Sequence, residues 1–414
     1  MKEVSTFRHQ TFPSRPEDPA QLTSLRVDAS ERADFSRLHS DFGITQAIAV
    51  HGTFVGDDPL AVNAWISSLI ARRAASVAGL VEQQLKRVTG SVTDAILGDR
   101  GNFAPHFPQD FRRLTGNEVE AERLVWSGAN THVSRALLAL RLLDRLDSLR
   151  LGGFAPGEHR VLLWGHSHAG NGFALLSNLL ANAPDSVDAF FDCFVIDELE
   201  PTAQRLLRRC RTLLAEHDGP HPMARALIVV TLGTPVRYGW EKRGLARLFH
   251  VSHHVPPDPD APEACRPPLT AACSNNNDPL VRKVAAWLDD LTAMYEARYG
   301  DWVQLFGIAG TDWPPPPVAR TTEGRLRKFL ERDLDPPTPE ALGERFPVMC
   351  HRWSRVTRTH ASGRNILLRY VDGEGRRAPE AQIMLGHGIY TRRKWLAAHL
   401  ALLLQQLADT VEAP

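Results

Sequence analysis

The sequence lacks several features that mark particular classes of protein. It has no Cys-x-x-Cys pair, and its five cysteines, at 193, 210, 265, 273 and 350, follow no regular spacing. Lys and Arg together number 48, as do Asp and Glu, so no excess of charge favours nucleic acid or an acidic partner. No run reaches the roughly 20 apolar residues of a membrane span. The stretch 1–21 also has no apolar segment typical of a signal peptide.

These absences favour an intracellular, cytoplasmic enzyme or binding protein with reduced thiols. Export by a route without a cleaved leader stays open, as does transient contact with a membrane surface. Hydrophobic residues make up 43% of the chain and charged residues 23%, which is typical of a globular protein with a sizeable core.

Short apolar runs alternate with segments of helical periodicity along most of the chain. This alternation predicts an α/β fold with a mostly parallel sheet and helices on both faces. The predicted strands lie at 44–54, 121–130, 160–164, 225–235, 302–317, 365–375 and 381–388. The predicted helical segments lie at 60–98, 132–149, from about 168, 184–222, 280–300 and 391–411.

The length of the chain is compatible with one domain that carries insertions. Residues 1–43 are polar and contain proline, and we expect a partly ordered arm there. Residues 44–410 are predicted to form a single domain. Its predicted insertions lie near 56–120, 185–222, 240–300 and 313–364, and the third of these is a candidate lid.

One corner between a predicted strand and a predicted helix carries the strongest chemical signal. The segment Gly165-His166-Ser167-His168-Ala169-Gly170 follows the apolar run "VLLW" and precedes an apolar helix. A chain that reverses so sharply leaves room only for small neighbours, and Gly165, Ala169 and Gly170 meet that need. The pattern is that of a nucleophile elbow, Gly-x-Ser-x-Gly with Ala in the last place, and it predicts that Ser167 is a nucleophile.

An activated serine needs oxyanion donors and a base. The first predicted strand ends in His51-Gly52, so the amide of Thr53 is expected to donate to the oxyanion together with the amide of His168. His387 lies between two glycines, after the last predicted strand and before the closing helix. This position makes His387 the predicted base.

Two aspartates are candidates for the acid that orients the histidine. Asp312 ends the predicted strand 302–317, and Asp372 ends the predicted strand 365–375. An aspartate at a strand end is often only a turn former, so at least one of the two is expected to have that role. We favour Asp372 slightly and keep Asp312 as the alternative.

The same serine corner admits a different chemistry. Gly-His-Ser-His also matches the Gly-His-x-His of calcineurin-like metallophosphoesterases, in which both histidines bind metal. The partner motifs of that family are missing: there is no Gly-Asn-His, and "VGDDP" has the wrong spacing. A dinuclear site needs many converging His and Asp ligands. We therefore expect no metal and no cofactor.

The residues quoted above resemble the α/β-hydrolase superfamily, specifically its lipase branch. His51-Gly52 resembles the lipase oxyanion motif, and segment 165–170 closely resembles the Gly-His-Ser-His-Gly-Gly elbow of bacterial lipases. "LGTP" at 232–235 resembles the Leu-Gly-Thr-Pro that follows the next strand in many of these enzymes. The order Ser, Asp, His along the chain is also that of the superfamily.

The resemblance bears on the acid as well. The segments "FGIAGTDWPPPP" and "YVDGEGRRAP" are similar to a pattern of lecithin:cholesterol acyltransferase-like enzymes, in which the catalytic Asp belongs to the second element. This similarity favours Asp372. Arg376 and Arg377 depart from that pattern because they stand where Thr-Val is expected, so Asp312 stays open.

The resemblance implies an α/β-hydrolase fold and a serine esterase or lipase that forms an acyl-enzyme. The expected partner is a small-molecule or lipid ester with an apolar acyl group, and the sequence does not specify the oligomeric state. An acyltransferase, a thioesterase and a non-catalytic relative that only binds ligand stay open as alternatives. The candidate residues of the substrate pocket are His51, Gly52, Phe54, His166 and Tyr238.

Overall fold

A computed structural model shows the architecture of much of the chain. The residues it describes are 21–30, 33–52, 99, 102–242, 244–255, 300–306, 319–330, 360, 362–382 and 385–409.

The described residues form one parallel sheet of seven strands in the order β1-β7-β6-β5-β4-β2-β3. The strands are β1 Gln21–Arg26, β2 Ile44–Val50, β3 Glu120–Leu124, β4 Arg160–His166, β5 Leu227–Leu232, β6 Arg247–His253 and β7 Arg364–Val371. The prediction of an α/β fold with a parallel sheet is therefore confirmed.

Helices connect most of these strands. The α-helices are α1 Arg37–Ser40, α2 Phe107–Leu114, α3 His132–Leu151, α4 Ala169–Ala181, α5 Pro184–Phe191, α6 Pro201–Ala215, α7 Trp302–Phe306, α8 Arg320–Leu330 and α9 Leu396–Asp409. Short 3₁₀ helices lie at Val27–Ser30, Ile196–Glu198, Pro222–Ala226, Pro379–Gln382 and Arg393–Trp395.

The central strand β4 is buried on both faces, which explains the apolar run "VLLW" within it. Val161 and Leu163 point into a core layer formed with α3 and α4. Leu162 and Trp164, which alternate with them, point into the opposite layer with α9. The sheet is thus covered by a core layer on each of its two faces.

The strand order marks the carboxyl ends of β2 and β4 as the place where a ligand crevice is expected. From β2 the chain continues to β3 at one edge of the sheet, whereas from β4 it continues to β5 in the opposite direction. Neighbouring connections that diverge in this way leave a gap at the carboxyl ends of the strands, where ligands of open α/β sheets bind. His51-Gly52 follows β2 and Ser167 follows β4, so both motifs lie at this place.

Several elements differ from the sequence-based predictions. Residues 302–306 of the predicted strand 302–317 form helix α7. In the predicted strand 381–388, residues 381–382 end a 3₁₀ helix and residues 385–388 form turns. Strand β6 was not predicted because its polar residues, two histidines and a serine among them, hide an apolar pattern. Within the segment expected to be a partly ordered arm, residues 21–26 add strand β1 to the edge of the sheet by pairing with β7.

The described cysteines, Cys193 and Cys210, are free and buried. Burial raises the pKa of Cys193 to about 11, so this thiol stays protonated and unreactive near neutral pH. No helix in the described part of the chain is long and apolar enough to cross a membrane.

Four histidines lie inside the core and are held there in the neutral form. Burial lowers the pKa of His253 and His399 to about 3 and that of His360 to about 4. Burial and the neighbouring His360 ring, 3.8 Å away between centroids, hold the pKa of His250 well below its usual value. An unfolded histidine takes up its proton at about pH 6.5, so folding opposes this protonation.

We expect the unfolding free energy to fall as the pH drops from about 7 to 5, because the unfolded chain then binds protons that the folded core excludes. His399→Gln should flatten this dependence by up to about 1.4 kcal/mol per pH unit. His399 Nε2 lies 2.8 Å from the Tyr370 hydroxyl, and the side-chain amide of Gln can bond to that hydroxyl either as acceptor or as donor. Urea unfolding at several pH values measures the slope, with pH 8 as reference. An unchanged slope in the variant would contradict the conclusion that His399 stays neutral in the folded protein.

Candidate active site

Ser167 stands at the corner between β4 and α4 in a strained backbone conformation. Its φ angle is +56°, a value that a residue with a side chain adopts at a cost of about 1–2 kcal/mol. Three hydrogen bonds hold the residue there. Its N–H donates to Leu232 O at 2.8 Å, and its carbonyl accepts from Thr234 Oγ1 at 2.7 Å and from the Gly170 amide at 3.1 Å.

The small residues around Ser167 are required by the close packing of the corner. A methyl group on Gly165 would collide with the ring of Phe173, and one on Gly170 would collide with Thr234. Ala169, which replaces the last glycine of the common pattern, is fully buried. Its φ angle is not positive, so the backbone at this position does not require glycine. The chain therefore turns sharply from β4 into α4 at Ser167.

His51 and Gly52 lie directly beside this corner. A methyl group on Gly52 would come within 2.7 Å of Ser167 Cβ and 3.0 Å of His166 Nδ1, so only glycine lets the two loops approach. Trp126 holds His51 in place: its amide donates to His51 Nε2 at 3.2 Å, and its indole N–H donates to His51 O at 2.8 Å. Since Nε2 accepts, Nδ1 of His51 carries the proton and donates to Gly52 O at 2.8 Å.

His387 and Asp301 form a buried pair next to the serine corner. His387 Nδ1 lies 2.7 Å from Asp301 Oδ2, and the two side chains are 5% and 1% exposed. The ring of His387 lies 4.4 Å from that of His166, the residue immediately before Ser167. His387 Nε2 is buried and has no hydrogen-bond partner among the described residues. This nitrogen is therefore the one left for further chemistry.

The loop that carries His387 is fixed through three consecutive carbonyl groups. The amide of Trp302 donates to Leu385 O at 3.0 Å, and His253 Nδ1 donates to Gly386 O at 3.1 Å. His166 Nε2 donates to His387 O at 3.1 Å. The donors come from three separate segments, so the tertiary structure holds the imidazole of His387 in place. From the sequence, a strand had been expected to do this.

Asp301 was missed by the sequence-based prediction. Its amide donates to His253 O at 3.0 Å, which attaches it to the end of β6, and its Oδ1 accepts from the Gln304 amide at 2.8 Å at the start of α7. Asp at a helix start with Gln three residues later is a capping pattern. That pattern, Asp301-Trp302-Val303-Gln304, was visible in the sequence, but the segment was interpreted as a strand.

Asp372 does not occupy the place predicted for it. It closes the turn after β7, where its Oδ1 accepts from the amides of Glu374 and Arg376 at 3.0 and 2.9 Å, and its Oδ2 pairs with the Arg376 side chain at 3.4 Å. The preference for Asp372 is therefore corrected: the carboxylate that contacts His387 is that of Asp301. Asp312, the alternative, lies outside the described residues, as do Thr53 and Phe54.

The remaining predicted residues have separate surroundings. His168 precedes α4, and its Nδ1 lies 3.2 Å from Asn171 Nδ2. Tyr238 is buried, and its hydroxyl contacts Arg135 Nε at 2.8 Å and His132 Nδ1 at 2.7 Å. Within the described part of the chain, no group of three or more His, Cys, Asp or Glu side chains is arranged to hold a metal ion.

The loop after β5 connects the serine corner with the His–Asp pair. Leu232 O and Thr234 Oγ1 bind the backbone of Ser167, as described above. Gly233 has φ +60°, and a methyl group on it would lie 2.5 Å from Asp301 Oδ2 and would collide with Tyr390. One short loop therefore sets the positions of both the serine and the carboxylate.

Comparisons with protein-family models, with curated proteins and with solved structures found no match to this chain. The geometry of the site is therefore the basis for any functional conclusion.

We expect Gly52→Ala to destabilise the protein by about 1–3 kcal/mol, because the added methyl group must push the Ser167 corner away. Gly157→Ala is the matched control, since a methyl group there meets nothing within 4 Å. Urea unfolding of both variants measures the difference. Equal stabilities would show that the two loops do not pack as closely as the structure has them.

Proposed function

We propose that this protein is a serine hydrolase that cleaves carboxylic esters through Ser167, His387 and Asp301. The observation that carries the proposal is the combination of a strained serine at a strand–helix corner with a buried His–Asp pair beside it. Strained backbone at such a place is common at functional sites. With this function we propose the α/β-hydrolase fold. The observed parallel sheet with helices on both faces is compatible with that fold.

The proposed mechanism follows from which atoms are occupied. His387 Nδ1 faces Asp301, so Nε2 is the nitrogen that takes the proton of Ser167 as the hydroxyl attacks the acyl carbonyl. Asp301 keeps the imidazole in the correct tautomer and stabilises the imidazolium that forms. The alcohol leaves with a proton from His387, and water then releases the acyl group by the same steps in reverse order.

The developing oxyanion needs hydrogen-bond donors near Ser167. The amide of His168 lies at the first turn of α4, where the helix dipole favours negative charge. Together with the proposed amide of Thr53, which follows Gly52, it would form the oxyanion hole. Each such donor contributes about 3 kcal/mol to stabilisation of the transition state in comparable enzymes.

The proposed substrate is an ester with an apolar acyl group. As whole residues, Ser167 is 3% exposed and His387 is 4% exposed, so the proposed site is shielded from water. A site shielded from water also strengthens the electrostatic interactions within it. Turnover of p-nitrophenyl acetate and octanoate compares the acyl preferences, and a sharp preference for acetate would contradict a lipase.

Ser167→Ala should abolish turnover of p-nitrophenyl esters and covalent labelling by a fluorophosphonate probe, because the attacking oxygen is removed. Labelling is detected by mass spectrometry of the intact protein and located on a peptide. Circular dichroism verifies that the variant is folded. Wild-type protein that is neither labelled nor active, or a variant that is labelled as fast as wild type, would refute the role of Ser167.

Asp301→Asn should lower kcat by about a thousandfold to ten-thousandfold, because the amide favours the wrong tautomer of His387. Asp372→Asn is the matched control: it removes the same charge from a turn that makes no contact with His387, and it should retain nearly full activity. The measurement is kcat for one p-nitrophenyl ester with all three proteins. The opposite order of activities would return the acid role to Asp372.

A further inference from the structure

Tyr390 joins His387 and Asp301 as the third side chain of one hydrogen-bonded group. We propose that Tyr390 is a positioning residue that acts through Asp301, because its hydroxyl donates to the same carboxylate oxygen that His387 contacts and so limits how strongly that oxygen holds the histidine proton. This inference rests on the proposed function, since it concerns the base of the same reaction.

The direction of the Tyr390 hydrogen bond follows from its partners. The tyrosine oxygen lies 2.6 Å from the backbone N–H of His253, which can only donate, so the oxygen accepts there. Its own proton is then available for Asp301 Oδ2 at 2.8 Å. Asp301 Oδ2 thus receives two donors, from Tyr390 and from His387 Nδ1, while Oδ1 receives the Gln304 amide.

The hydroxyl of Tyr390 stays protonated near neutral pH and therefore remains a hydrogen-bond donor. Burial, followed by the charge of Asp301, raises the pKa of Tyr390 well above its ordinary value. The side chain is 2% exposed, and Gly233 is needed to leave space for it beside Asp301. Tyr390 also follows His387 by only three residues, so the same loop carries the base and the second donor to its acid.

The contact affects the proton equilibrium of His387. A carboxylate that shares one oxygen between two donors attracts the imidazolium less than a carboxylate with one donor. Without the tyrosine hydroxyl, the carboxylate of Asp301 interacts more strongly with His387 Nδ1–H and so favours the protonated imidazole. Because the base must be neutral to accept the serine proton, the activity is then lost at a higher pH on the acid side.

Tyr390→Phe removes the hydroxyl and keeps the ring, and Tyr370→Phe is the matched control. Tyr370 is also fully buried, and its ring lies 6.2 Å from that of Tyr390. Its hydroxyl bonds to His399 Nε2 at 2.8 Å rather than to Asp301. Each variant therefore loses one buried hydroxyl and leaves one buried nitrogen without its partner, but only Tyr390→Phe removes a hydrogen bond to the carboxylate of Asp301.

The other titratable and charged groups around the pair stay the same in both variants. They are His166, beside His387 at 4.4 Å between ring centroids, His253, whose backbone N–H bonds to Tyr390, and Arg377, whose charge acts on His253. Burial lowers the pKa of His253 to about 3, so this ring stays neutral above pH 5. A shift confined to Tyr390→Phe is therefore a property of the Asp301 contact.

The test measures two quantities on wild type and both variants. The first is the protonation midpoint of His387 from NMR of ¹³C-labelled histidine, with the signal assigned by a His387→Gln variant. The second is the pH profile of inactivation by a fluorophosphonate. In Tyr390→Phe we expect the midpoint to rise by about 0.5–1 pH unit, and inactivation on the acid limb to slow about threefold to tenfold. Tyr370→Phe should match wild type in both.

The outcomes separate the two proposals. An equal midpoint in Tyr390→Phe and Tyr370→Phe would overturn the role of Tyr390, even if all three proteins react with the probe. Absence of labelling in wild type would overturn the serine hydrolase, whereas the NMR midpoint would still decide whether Tyr390 acts on His387 through Asp301. A stability loss common to both variants moves neither midpoint and is measured separately by urea unfolding.

Discussion

The arrangement of the candidate site depends on one buried carboxylate. Asp301 contacts His387 through one oxygen and the start of helix α7 through the other, and its amide is bound to the end of β6. A carboxylate in the core is tolerated only when its oxygens are satisfied. The groups that satisfy Asp301 are His387, Tyr390 and the start of α7, so the contacts that allow this carboxylate to be buried also position His387.

The loop after β5 also contacts two parts of the site. It binds the strained backbone of Ser167, and it leaves space at Gly233 for Asp301 and Tyr390. The positions of the serine and of the carboxylate therefore both depend on the end of one central strand, β5. Sites supported by such elements keep their geometry better than sites supported by long loops alone.

Much of the fold and part of the site could be predicted from the sequence. Apolar runs such as "VLLW" and "LIVV" identified central strands because both of their faces are buried. Strand β6 was not predicted, since its histidines and serine are buried through specific contacts that leave no simple pattern, such as the bond of His250 Nδ1 to Thr231 at 2.8 Å. Helix α7 was interpreted as a strand because its few apolar residues fit both periods, and that error concealed Asp301.

The sequence by itself determined the serine corner. Its constraints are local: Gly165, Ser167, Ala169 and Gly170 lie within six positions, and the steric limits of a strand-to-helix turn act between chain neighbours. Only the tertiary structure decided which acid meets His387. Asp301 is 86 residues away along the chain and reaches the histidine through the end of β6, whereas Asp372 is much closer in sequence but is bound within its own turn. Contacts between distant segments depend on how the strands are ordered in the sheet, and no local pattern encodes that order.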